Sequence, residues 1–516
     1  MQRRHFLQLT GFSAAALLFE KTSAFTGAPA YGLQYPSNVY LWRDGRWQPL
    51  KGRNDNWALE NLSVTLKQNK DSQSIHLHAP GMPLEKIKLT WNKSFTSLAR
   101  YLGDAWERSY GDLNWSYTTK HAPWYMLVHD GRLTHAFGVK TGARALCYWQ
   151  AGSQELSLIL DLHSGGMGVE LGDRTLDAAE IIATQSQPGE STFQTDTRFC
   201  KMMCDTPRLP DKPVYGINDW YFAYGKNSKD LILSTTATMS ELATDNDNRP
   251  YSVIDDGWED GDVFTRCNDK FGDMAQVASA IKKLGAHPGL WTRPLLANAT
   301  DQPNLLTPRK TDGKERYLDP TLPENLQRIA RTISLYRDWG FEMVKHDYST
   351  FDLFGRWGVQ MNPEITTENW HFNDRSKTNA EIITTLYKTI REAAGPMYLI
   401  GCNTVSHLSA GLFELNRIGD DTSGREWDRV IKYGVNTMGF RLPQHNTFYA
   451  ADGDCVGLTT QIPWNLNKQW LQLLTESGAP LFISAQPEAT GPEQKQAIKH
   501  SFTLAAKPQP TGEPLD

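Results

Sequence analysis

The sequence predicts an α/β protein with an all-β N-terminal domain, in which an antiparallel β-sandwich precedes a (β/α)8 TIM barrel. Three observations lead to this prediction. Short runs of alternating apolar and polar residues fill the chain from about residue 25 to residue 210. A rhythm of strand, loop and helix replaces them from about residue 211 to residue 500. Charged residues stand at the ends of several of the later strands, where a barrel gathers its functional side chains.

The first 24 residues predict an export signal. The pair Arg3-Arg4 precedes a short apolar run from residue 9 to residue 19, and small residues follow as far as Ala24. The run is too short to span a bilayer, and the pattern resembles a twin-arginine signal peptide, with an ordinary amphipathic helix as the alternative. We therefore expect a bacterial protein that is periplasmic or secreted. No later segment is apolar enough for membrane insertion after cleavage of this signal.

Residues 25–210 predict the β-sandwich domain. Alternating runs such as residues 156–162 are separated by turns rich in Gly, Asn, Asp and Pro, and long helical periodicities are few. The stretch RLPDKP, residues 208–213, predicts the linker to the next domain. Six cysteines in 516 residues are too few for a disulfide framework, and Cys200 and Cys204 are the most local candidate pair.

Residues 211–500 predict the barrel, because strands and amphipathic helices alternate along them. The helical faces are clearest where apolar residues recur before Gly285 and before Gly340. No glycine-rich fingerprint follows a strand, which argues against a Rossmann sheet. Residues 501–516 are expected to be a tail, or the start of a C-terminal β domain that is short or absent. The predicted strands begin near Val214, Tyr251, Pro288, Glu342, Met397, Glu414, Thr447 and Pro480.

The composition favours a small neutral or polar ligand. The chain has 53 Lys and Arg against 58 Asp and Glu, with no long run of either sign, so nucleic acid is not an expected partner. Seventeen Trp and nineteen Tyr suit the faces of sugars, although most such rings belong to a core. There is no cofactor fingerprint and no histidine pair at zinc-ligand spacing near the closest cysteines. The expected partner is a small carbohydrate, without metal or cofactor.

Charged residues at three strand ends predict the functional site. Two carboxylates from different strands can perform glycosidic chemistry, one as nucleophile and one as proton donor. A lysine beside a carboxylate favours the ionised nucleophile, whereas repulsion between adjacent aspartates raises the pKa of one of them, as a proton donor requires. Lys345, Arg417 and Arg293 are the cations that can offset the acidic cluster. The motifs are IDDGW with Asp255 and Asp256, VKHDY with Lys345 and Asp347, and RIGDD with Arg417, Asp420 and Asp421.

Seven motifs, taken in chain order, resemble those of the melibiase-type α-galactosidases of the clan D glycoside hydrolases, namely family 36 and the similar family 27. The resemblance covers about residues 215–487, and the β-rich segment before it is similar to the N-terminal β-sandwich of that family. A lone IDDGW is weak evidence, but seven motifs in order are specific. They are YSVIDDGWEDGD, HPGLWTRP, YLDPTLPENLQ, MVKHDY, LIGCNTVSHLSAGLFELNRIGDDTSG, DGDC and PLFISAQP.

The resemblance implies an exo-acting, retaining hydrolysis of terminal non-reducing α-galactosides without a metal ion. Asp347 matches the family's nucleophile, and Asp421 matches its acid/base in preference to Asp420. In the family, the pair matched by Asp255 and Asp256 holds the O4 and O6 hydroxyls. The residues that match substrate-binding positions are Trp220, Asp255, Asp256, Lys345, Cys402, Asn403 and Arg417.

Departures from the family pattern leave the sugar open. Asn403 and the residues after it stand where the family usually has glycines, which alters the surroundings of O2, and His346 replaces a more usual aromatic or apolar residue. The alternatives are an α-N-acetylgalactosaminidase or a β-L-arabinopyranosidase with the same mechanism, a transglycosidase, or a non-catalytic galactoside-binding protein. For single residues, the alternatives are a core role for Trp220 and Cys402, and a turn or helix-cap role for the strand-end aspartates.

Overall fold

Antiparallel sheets form the first part of the chain and a parallel barrel forms the second, as the sequence predicts. The predicted export signal, residues 1–24, lies outside the described residues. Along the part that is described, no helix combines the length and the apolar character that crossing a membrane requires. The computed structural model describes residues 33–119, 122–152, 154–298, 305, 315–361 and 370–513.

Two antiparallel sheets form the β-sandwich within the described residues. Its strands are β1 (Asn38–Arg43), β2 (Arg46–Pro49), β3 (Lys51–Arg53), β4 (Asn56–Leu59), β5 (Leu62–Gln68), β6 (Gln73–His78), β7 (Lys86–Trp91), β8 (Arg100–Leu102), β9 (Tyr125–His129), β10 (Thr134–Val139), β11 (Leu146–Ala151), β12 (Leu156–Asp161), β13 (His163–Ser164), β14 (Met167–Gly168) and β15 (Thr175–Gln185). One sheet has the order β11-β12-β7-β1-β2, and the other has the order β3-β4-β5-β6-β15-β10-β9-β8. The strands β13 and β14 pair with each other.

Alternating side chains hold the two sheets together. Along β6 and the first part of β5 every second residue is buried, and Val64 lies opposite Leu77 while Leu66 lies opposite Ile75. These side chains share one apolar core with residues of the other sheet, such as Leu158. The period of two in the sequence therefore becomes a one-sided apolar face, which is buried where the sheets meet.

The helix α1 (Thr192–Met203) follows the last strand of the sandwich. Ser191 caps its N-terminus, because the Ser191 hydroxyl accepts a hydrogen bond from the backbone N–H of Gln194 and the Gln194 side chain accepts one from Ser191. Cys200 lies on the buried face of α1 and Cys204 ends it. Both are free thiols, so the spacing of this pair does not indicate a disulfide.

The barrel follows with parallel strands and helices in alternation. Predicted helical faces are confirmed, since Val277, Ile281, Ile329 and Ile333 are buried. The elements are β16 (Tyr215–Asn218), α2 (Trp220–Ala223), α3 (Lys229–Leu242), β17 (Tyr251–Ile254), β18 (Glu259–Asp260), β19 (Val263–Cys267), α4 (Met274–Lys283), β20 (His287–Thr292), α5 (Pro323–Asp338), β21 (Met343–His346), α6 (Ser349–Phe354), α7 (Asn379–Ala394), β22 (Tyr398–Gly401), α8 (Ser406–Ser409), β23 (Leu415–Arg417), α9 (Trp427–Arg429), α10 (Asn436–Arg441), β24 (Ala450–Asp452), β25 (Cys455–Leu458), α11 (Trp464–Ser477), β26 (Leu481–Ala485) and α12 (Pro492–Ala505). Short 3-10 helices span Gly358–Met361, Leu442–Gln444 and Pro487–Ala489, and a π-helix spans Val430–Val435.

The barrel closes through a divided strand. Its sheet has the order β24-β23-β22-β21-β20-β17-β16-β26-β25, with parallel pairing throughout the described strands. The two end strands, β24 and β25, are separated only by Gly453 and Asp454, and Asp454 has a left-handed φ of 75°. β24 lies within the predicted strand near residues 447–455 and pairs with β23, whereas β25 begins only at the end of that prediction and pairs with β26. A β-bulge-like break at this point lets one strand serve both neighbours.

A long segment of the sandwich reaches the carboxyl end of the barrel. It connects β8 to β9, and its Ser109 forms a parallel bridge with Gly419, just after β23. The Ser109 backbone N–H donates to the Ile418 carbonyl at 2.8 Å, and the Ser109 carbonyl accepts from the Asp420 N–H at 2.7 Å. Arg441 of α10 donates to the Glu107 carbonyl at 2.9 Å. The sandwich therefore contributes backbone and side chains to the end of the barrel where functional groups gather.

The N-terminus of α7 joins the two parts of the chain a second time. Thr378 accepts a hydrogen bond from Glu381 N–H at 3.1 Å in a capping box and donates to the Arg144 carbonyl of the sandwich. Arg174 binds both oxygens of Glu381 at 3.1 and 2.7 Å. One threonine thus stabilises a helix terminus and the contact between domains.

Replacement of this cap tests its contribution. Thr378→Ala removes both hydrogen bonds of the hydroxyl, and we expect it to lower the free energy of unfolding by about 1–2 kcal/mol. Thr378→Ser keeps the hydroxyl and should remain within about 0.5 kcal/mol of the unmodified protein. Urea unfolding followed by circular dichroism measures both variants. Equal stability of Thr378→Ala and Thr378→Ser would contradict the assignment.

Candidate active site

The predicted charged strand ends meet at one end of the barrel. Asp255 follows β17, Lys345 is the penultimate residue of β21 and Arg417 ends β23, and all three strands run parallel in one sheet. The carboxyl ends of parallel strands lie at the same edge, so their side chains face a common space. The structure thus brings together residues that are far apart in the sequence.

Asp255 is the most enclosed carboxylate of this group. Its Oδ2 accepts hydrogen bonds from Lys345 Nζ at 2.7 Å and from Asn218 Nδ2 at 2.7 Å, and it is 3% exposed. Its own N–H donates to Asp219 Oδ1 at 2.7 Å. A buried ion pair is tolerated when further hydrogen bonds satisfy it, as here. The sequence predicts Lys345 as the cation beside Asp347. The charge of Asp347 does act on Lys345, but the hydrogen-bond partner of Lys345 is Asp255, whose strand is separated from β21 only by β20.

Asp256 lies at the edge of the same space and shares its environment with Glu259 of β18. It is half-buried, and its N–H donates to Asp255 Oδ1 at 3.0 Å. Burial, with the carboxylates of Asp255 and Asp347, raises the pKa of Asp256. Burial and the neighbouring Asp256 raise the pKa of Glu259 to about 7. The two carboxyl groups are therefore a pair that holds a proton close to neutral pH.

Asp347 is held by two neutral donors. Trp291 Nε1 donates to Oδ2 at 3.1 Å, and the Tyr348 N–H donates to Oδ1 at 2.7 Å. Both carboxylate oxygens are thereby fixed in orientation, while Asp347 itself is only half-buried. Fixed orientation is what an attacking carboxylate requires.

Tyr348 has a strained backbone beside this carboxylate. Its φ is 63°, which is uncommon for a residue with a side chain. The Arg293 guanidinium lies 4.3 Å from the centre of its ring. Arg293 also binds Asp352 and Glu315, each at a shortest distance of 2.7 Å. The direct partners of Arg293 are thus these two acids, while its charge also acts to lower the pKa of Asp256, one of the strand-end acids that it is predicted to offset.

Two guanidinium groups bind Asp421. Arg417 Nη2 donates to Oδ1 at 3.0 Å and Arg108 Nη1 donates to the same oxygen at 3.2 Å. Burial acts to raise the pKa of Asp421, but Arg108 and Arg417 outweigh it and lower that pKa to about 2. The expected rise from repulsion by Asp420 is therefore wrong. Arg108 Nη2 also binds Asp420 at 2.8 Å, so the same cation compensates both acids.

Arg417 connects Asp421 to the divided strand. The Arg417 guanidinium is almost fully buried and lies 2.6 Å from Asp454 Oδ2. The same Asp454 oxygen accepts from the Thr422 N–H and hydroxyl, each at 2.8 Å, and from the Tyr221 hydroxyl. The left-handed break in the strand thus supplies a carboxylate that fixes Arg417 beside Asp421.

The Tyr348 phenol identifies the space that the acids share. Burial, and then the carboxylates of Asp347, Asp421 and Asp256, raise the pKa of this phenol, while Arg293 lowers it. Asp256, Asp347 and Asp421, which follow β17, β21 and β23, therefore act electrostatically on one tyrosine side chain.

The predicted residues after β22 occupy two different positions. Cys402 lies at the site, since its Sγ is 3.6 Å from Arg417 Nη1 and 3.8 Å from Arg108 Nη1. Burial and the carboxylate of Asp347 raise the pKa of this thiol, which keeps it neutral. Asn403 is fully buried and its Oδ1 accepts from the Phe351 N–H at 3.1 Å, so its side chain binds α6.

Two further predicted positions have simple surroundings. Trp220 begins α2, remains half-buried and has its ring centre 5.5 Å from that of Tyr224. His346 is fully buried between Tyr387 and Phe413 and its ring nitrogens have no hydrogen-bond partner among the described residues. Burial lowers its pKa to about 3, which fits the predicted packing role.

Sequence reasoning missed Arg108 and Trp291. Arg108 is 313 positions from Asp421 and no local spacing connects them. The available signal is the long segment between β8 and β9, which combines charged and aromatic residues, since long loops on a rigid scaffold often carry function. Trp291 stands in HPGLWTRP, where its inward position follows from the strand alternation.

The donor set offers no obvious metal site. Across the described ranges no group of three or more His, Cys, Asp and Glu side chains is arranged to hold an ion. The charges of the acidic cluster are instead met by Lys345, Arg417 and Arg108.

Solved structures with the same architecture are α-galactosidases. TtGalA, an α-galactosidase from Thermus thermophilus in complex with p-nitrophenyl α-D-galactopyranoside, is similar with a TM-score of 0.61 and 16% identity, over 87% of this chain and 94% of that chain. AgaB, a GH36 α-galactosidase from Geobacillus stearothermophilus, is similar with a TM-score of 0.60 and 13% identity, over 92% of this chain and 76% of that chain. The chain has the GH36 α-galactosidase fold. The galactosidase domain of an α-galactosidase-sucrose kinase, AgaSK, is similar with a TM-score of 0.57 and 15% identity, over 92% of this chain and 70% of that chain. No protein-family model matches the sequence.

Gly257, in the IDDGW motif, tests how the acidic loop is positioned. Its φ is 107°, and an added Cβ would lie 2.6 Å from the Gly225 carbonyl oxygen. We expect Gly257→Ala to lower the free energy of unfolding by about 2 kcal/mol or more and to weaken any binding of galactose at this site, because Asp255 and Asp256 shift with the loop. Thermal unfolding and a galactose titration measure both effects.

Gly261 is the matched control for this substitution. It has a φ of 59° in the turn between β18 and β19, and no atom lies within 4 Å of an added Cβ. Gly261→Ala therefore carries only the left-handed backbone penalty of about 1 kcal/mol. Equal losses of stability in both variants would show that close approach of the two loops is unimportant.

Proposed function

We propose that the protein is a retaining, exo-acting α-galactosidase that hydrolyses terminal non-reducing α-galactosides by double displacement. One observation carries the proposal. Two carboxylates, Asp347 after β21 and Asp421 after β23, lie at the same edge of one parallel sheet with only β22 between their strands, and they have opposite surroundings. Asp347 accepts from two neutral donors, whereas Asp421 is held by two guanidinium groups. The fold of known α-galactosidases supports the assignment.

In the first step Asp347 is the nucleophile. One of its oxygens attacks the anomeric carbon as the bond to the leaving oxygen breaks, which gives a β-linked glycosyl-enzyme. Asp421 in its protonated form gives its proton to the leaving oxygen. Trp291 and the Tyr348 N–H hold the attacking carboxylate in place. Neutral hydrogen bonds suit a group whose negative charge must move to a new bond.

In the second step Asp421 is the base. Its carboxylate accepts a proton from water, and the water oxygen attacks the anomeric carbon from the face that the leaving group left. The bond to Asp347 breaks and galactose departs with the α configuration. The low pKa of Asp421 favours the carboxylate form that this step uses.

The remaining residues suit recognition of a galactose ring. Asp255 and Asp256 are placed to accept hydrogen bonds from hydroxyls, with Lys345 as a donor beside them. The ring of the half-buried Trp220 can cover C–H surface of the sugar. Cys402 and Arg417 lie next to the acid/base. Asn403 does not face the sugar in this proposal, because its side chain accepts a hydrogen bond from the backbone of α6 and so fixes the loop after β22.

Nucleophile and acid/base variants test the assignment of the two carboxylates. We expect Asp347→Ala to lower kcat on p-nitrophenyl α-galactoside by about 10⁴-fold or more, because no covalent intermediate forms. Added azide should restore turnover by entering the vacated space, and the product should be the β-galactosyl azide. In Asp421→Ala azide should instead replace water in the second step and give the α-galactosyl azide. Product configuration is read by proton NMR.

His346→Leu is the control for these variants. It changes the neighbouring buried residue without touching the acidic space, and the neutral ring it replaces has no hydrogen-bond partner in the described structure. Its kcat should remain close to that of the unmodified protein. Ordinary turnover by Asp347→Ala, or azide products of the opposite configuration, would refute the assignment.

A panel of aryl glycosides that differ at C2 and C6 tests the sugar. We expect the α-galactoside to have the highest kcat/KM. The β-L-arabinopyranoside lacks the hydroxymethyl group, leaves buried acceptors unpaired and should be about 10- to 100-fold poorer. The α-N-acetylgalactosaminide places its acetamido group against Cys402 and should also be poorer. A higher kcat/KM on either analogue would favour that activity, and galactose binding without any hydrolysis would favour a binding protein.

A further inference from the structure

Arg108 is a barrel-site residue that the sandwich contributes. Its guanidinium binds Asp421 at 3.2 Å and Asp420 at 2.8 Å, and lies 3.8 Å from Cys402 Sγ. We propose that Arg108 is a positioning residue that keeps the acid/base Asp421 anionic, so that turnover depends strongly on whether the leaving group needs a proton. This inference rests on the proposed function.

The backbone around Arg108 is fixed on both sides. Ser109 forms two hydrogen bonds with the backbone that precedes and contains Asp420, and the Glu107 carbonyl accepts from Arg441. The Tyr110 hydroxyl donates to the Glu107 side chain, which also accepts from the Gly358 N–H at 2.8 Å. The segment is therefore anchored to the barrel independently of the Arg108 side chain. This anchoring gives the guanidinium one position instead of many.

The guanidinium itself is enclosed. Rings of Trp357 and Tyr110 lie 5.7 and 6.0 Å from its central carbon, and its side chain is 7% exposed. A charge in such a place is screened less by salt and water than a surface charge. Its effect on Asp421 is correspondingly large.

Four cations lower the pKa of Asp421, namely Arg108, Arg417, Lys345 and Arg429. Burial opposes the ionised form, yet the pKa falls to about 2, with Arg108 as the largest lowering influence. Asp454 is itself bound to Arg417, and Asp420 is bound to Arg108. The charged and titratable groups that face Asp421 are Arg108 from the β8–β9 segment, Asp420 beside it, Arg417 of β23, Lys345 of β21, Tyr348 after β21, Arg429 of α9, Asp454 between β24 and β25, and Tyr221 of α2.

The two oxygens of Asp421 differ. Both guanidiniums bind Oδ1, and no residue in the described part of the chain hydrogen-bonds to Oδ2. Oδ2 is therefore the oxygen that can carry a proton toward substrate. An alkyl leaving group departs as an alcohol and needs that proton, whereas p-nitrophenolate is stable enough to depart without it. The two substrate types should respond differently to any change in Arg108.

Arg108→Gln provides the test. We expect the limb on which kcat/KM for methyl α-galactoside falls with rising pH to move upward by about one pH unit, because one of two cations near the acid is lost. Under the same conditions the pH profile for p-nitrophenyl α-galactoside should stay in place. Arg108→Lys retains a charge and should give a smaller shift. If Arg108 had a purely structural role, Arg108→Gln would lower kcat/KM for both substrates alike without moving either pH profile.

Asp112→Ala is the matched control. Asp112 lies in the same segment and bridges to Lys432 of the barrel at 2.9 Å, but it is exposed and does not contact Asp421. Its pH profiles should superimpose on those of the unmodified protein. If Arg108→Gln fails to fold, Arg108→Gln with Asp420→Asn removes the unpaired acid as well. A smaller upward shift is expected from it, because loss of the Asp420 charge partly offsets loss of the Arg108 charge.

The outcomes separate the two proposals. Unmodified protein that hydrolyses neither substrate at any pH contradicts the proposed function. Unmodified protein that is active, with profiles unchanged in the Arg108 variants, overturns only the inference about Arg108. If the unmodified protein hydrolyses the aryl substrate alone, Arg108→Gln must gain hydrolysis of methyl α-galactoside, and its failure to do so overturns the inference.

Discussion

The structure depends on one constraint: the negative charges of the carboxylates gathered at the strand ends must be neutralised by nearby cations. A parallel barrel directs the ends of its strands to one place, and here those ends carry Asp255, Asp347 and Asp421. Such a cluster is stable only when cations reach it. Losing one partner of a buried pair such as Lys345 and Asp255 costs about 3–5 kcal/mol, because the remaining charge stays buried. The cations are therefore as necessary to the fold as the acids are to the chemistry.

The fold could be read from the sequence because its signals are local. The sandwich strands alternate with a period of two, the barrel strands are short apolar runs, and turns and helices separate them. The divided strand at Gly453 and Asp454 was readable only as one strand, because its break depends on pairing with two different neighbours. Strand pairing is a property of distant segments, and no short window of sequence contains it.

The site residues that lie at strand ends could be predicted from the sequence, whereas those that the other domain contributes could not. Asp347 and Asp421 could be found because each follows its own strand. The direction in which the pKa of Asp421 shifts could not be predicted, because the sequence shows that Asp420 is adjacent but does not show that Arg108 lies close in space. The single negative charge of Asp420 repels the Asp421 carboxylate, but two guanidiniums at hydrogen-bond distance attract that carboxylate more strongly. Proximity in space therefore reversed what proximity in sequence suggested.

Double displacement requires one group to be an acid and then a base, and its surroundings cannot favour both forms equally. In the proposed mechanism, cations around Asp421 stabilise the carboxylate that accepts a proton from water, and they disfavour the acid that gives one to the leaving oxygen. The two guanidiniums that bind Asp421 are Arg417, which belongs to the barrel, and Arg108, which belongs to the sandwich. Under that proposal, a domain without a strand in the barrel takes part in deciding which half of the reaction is the slower one.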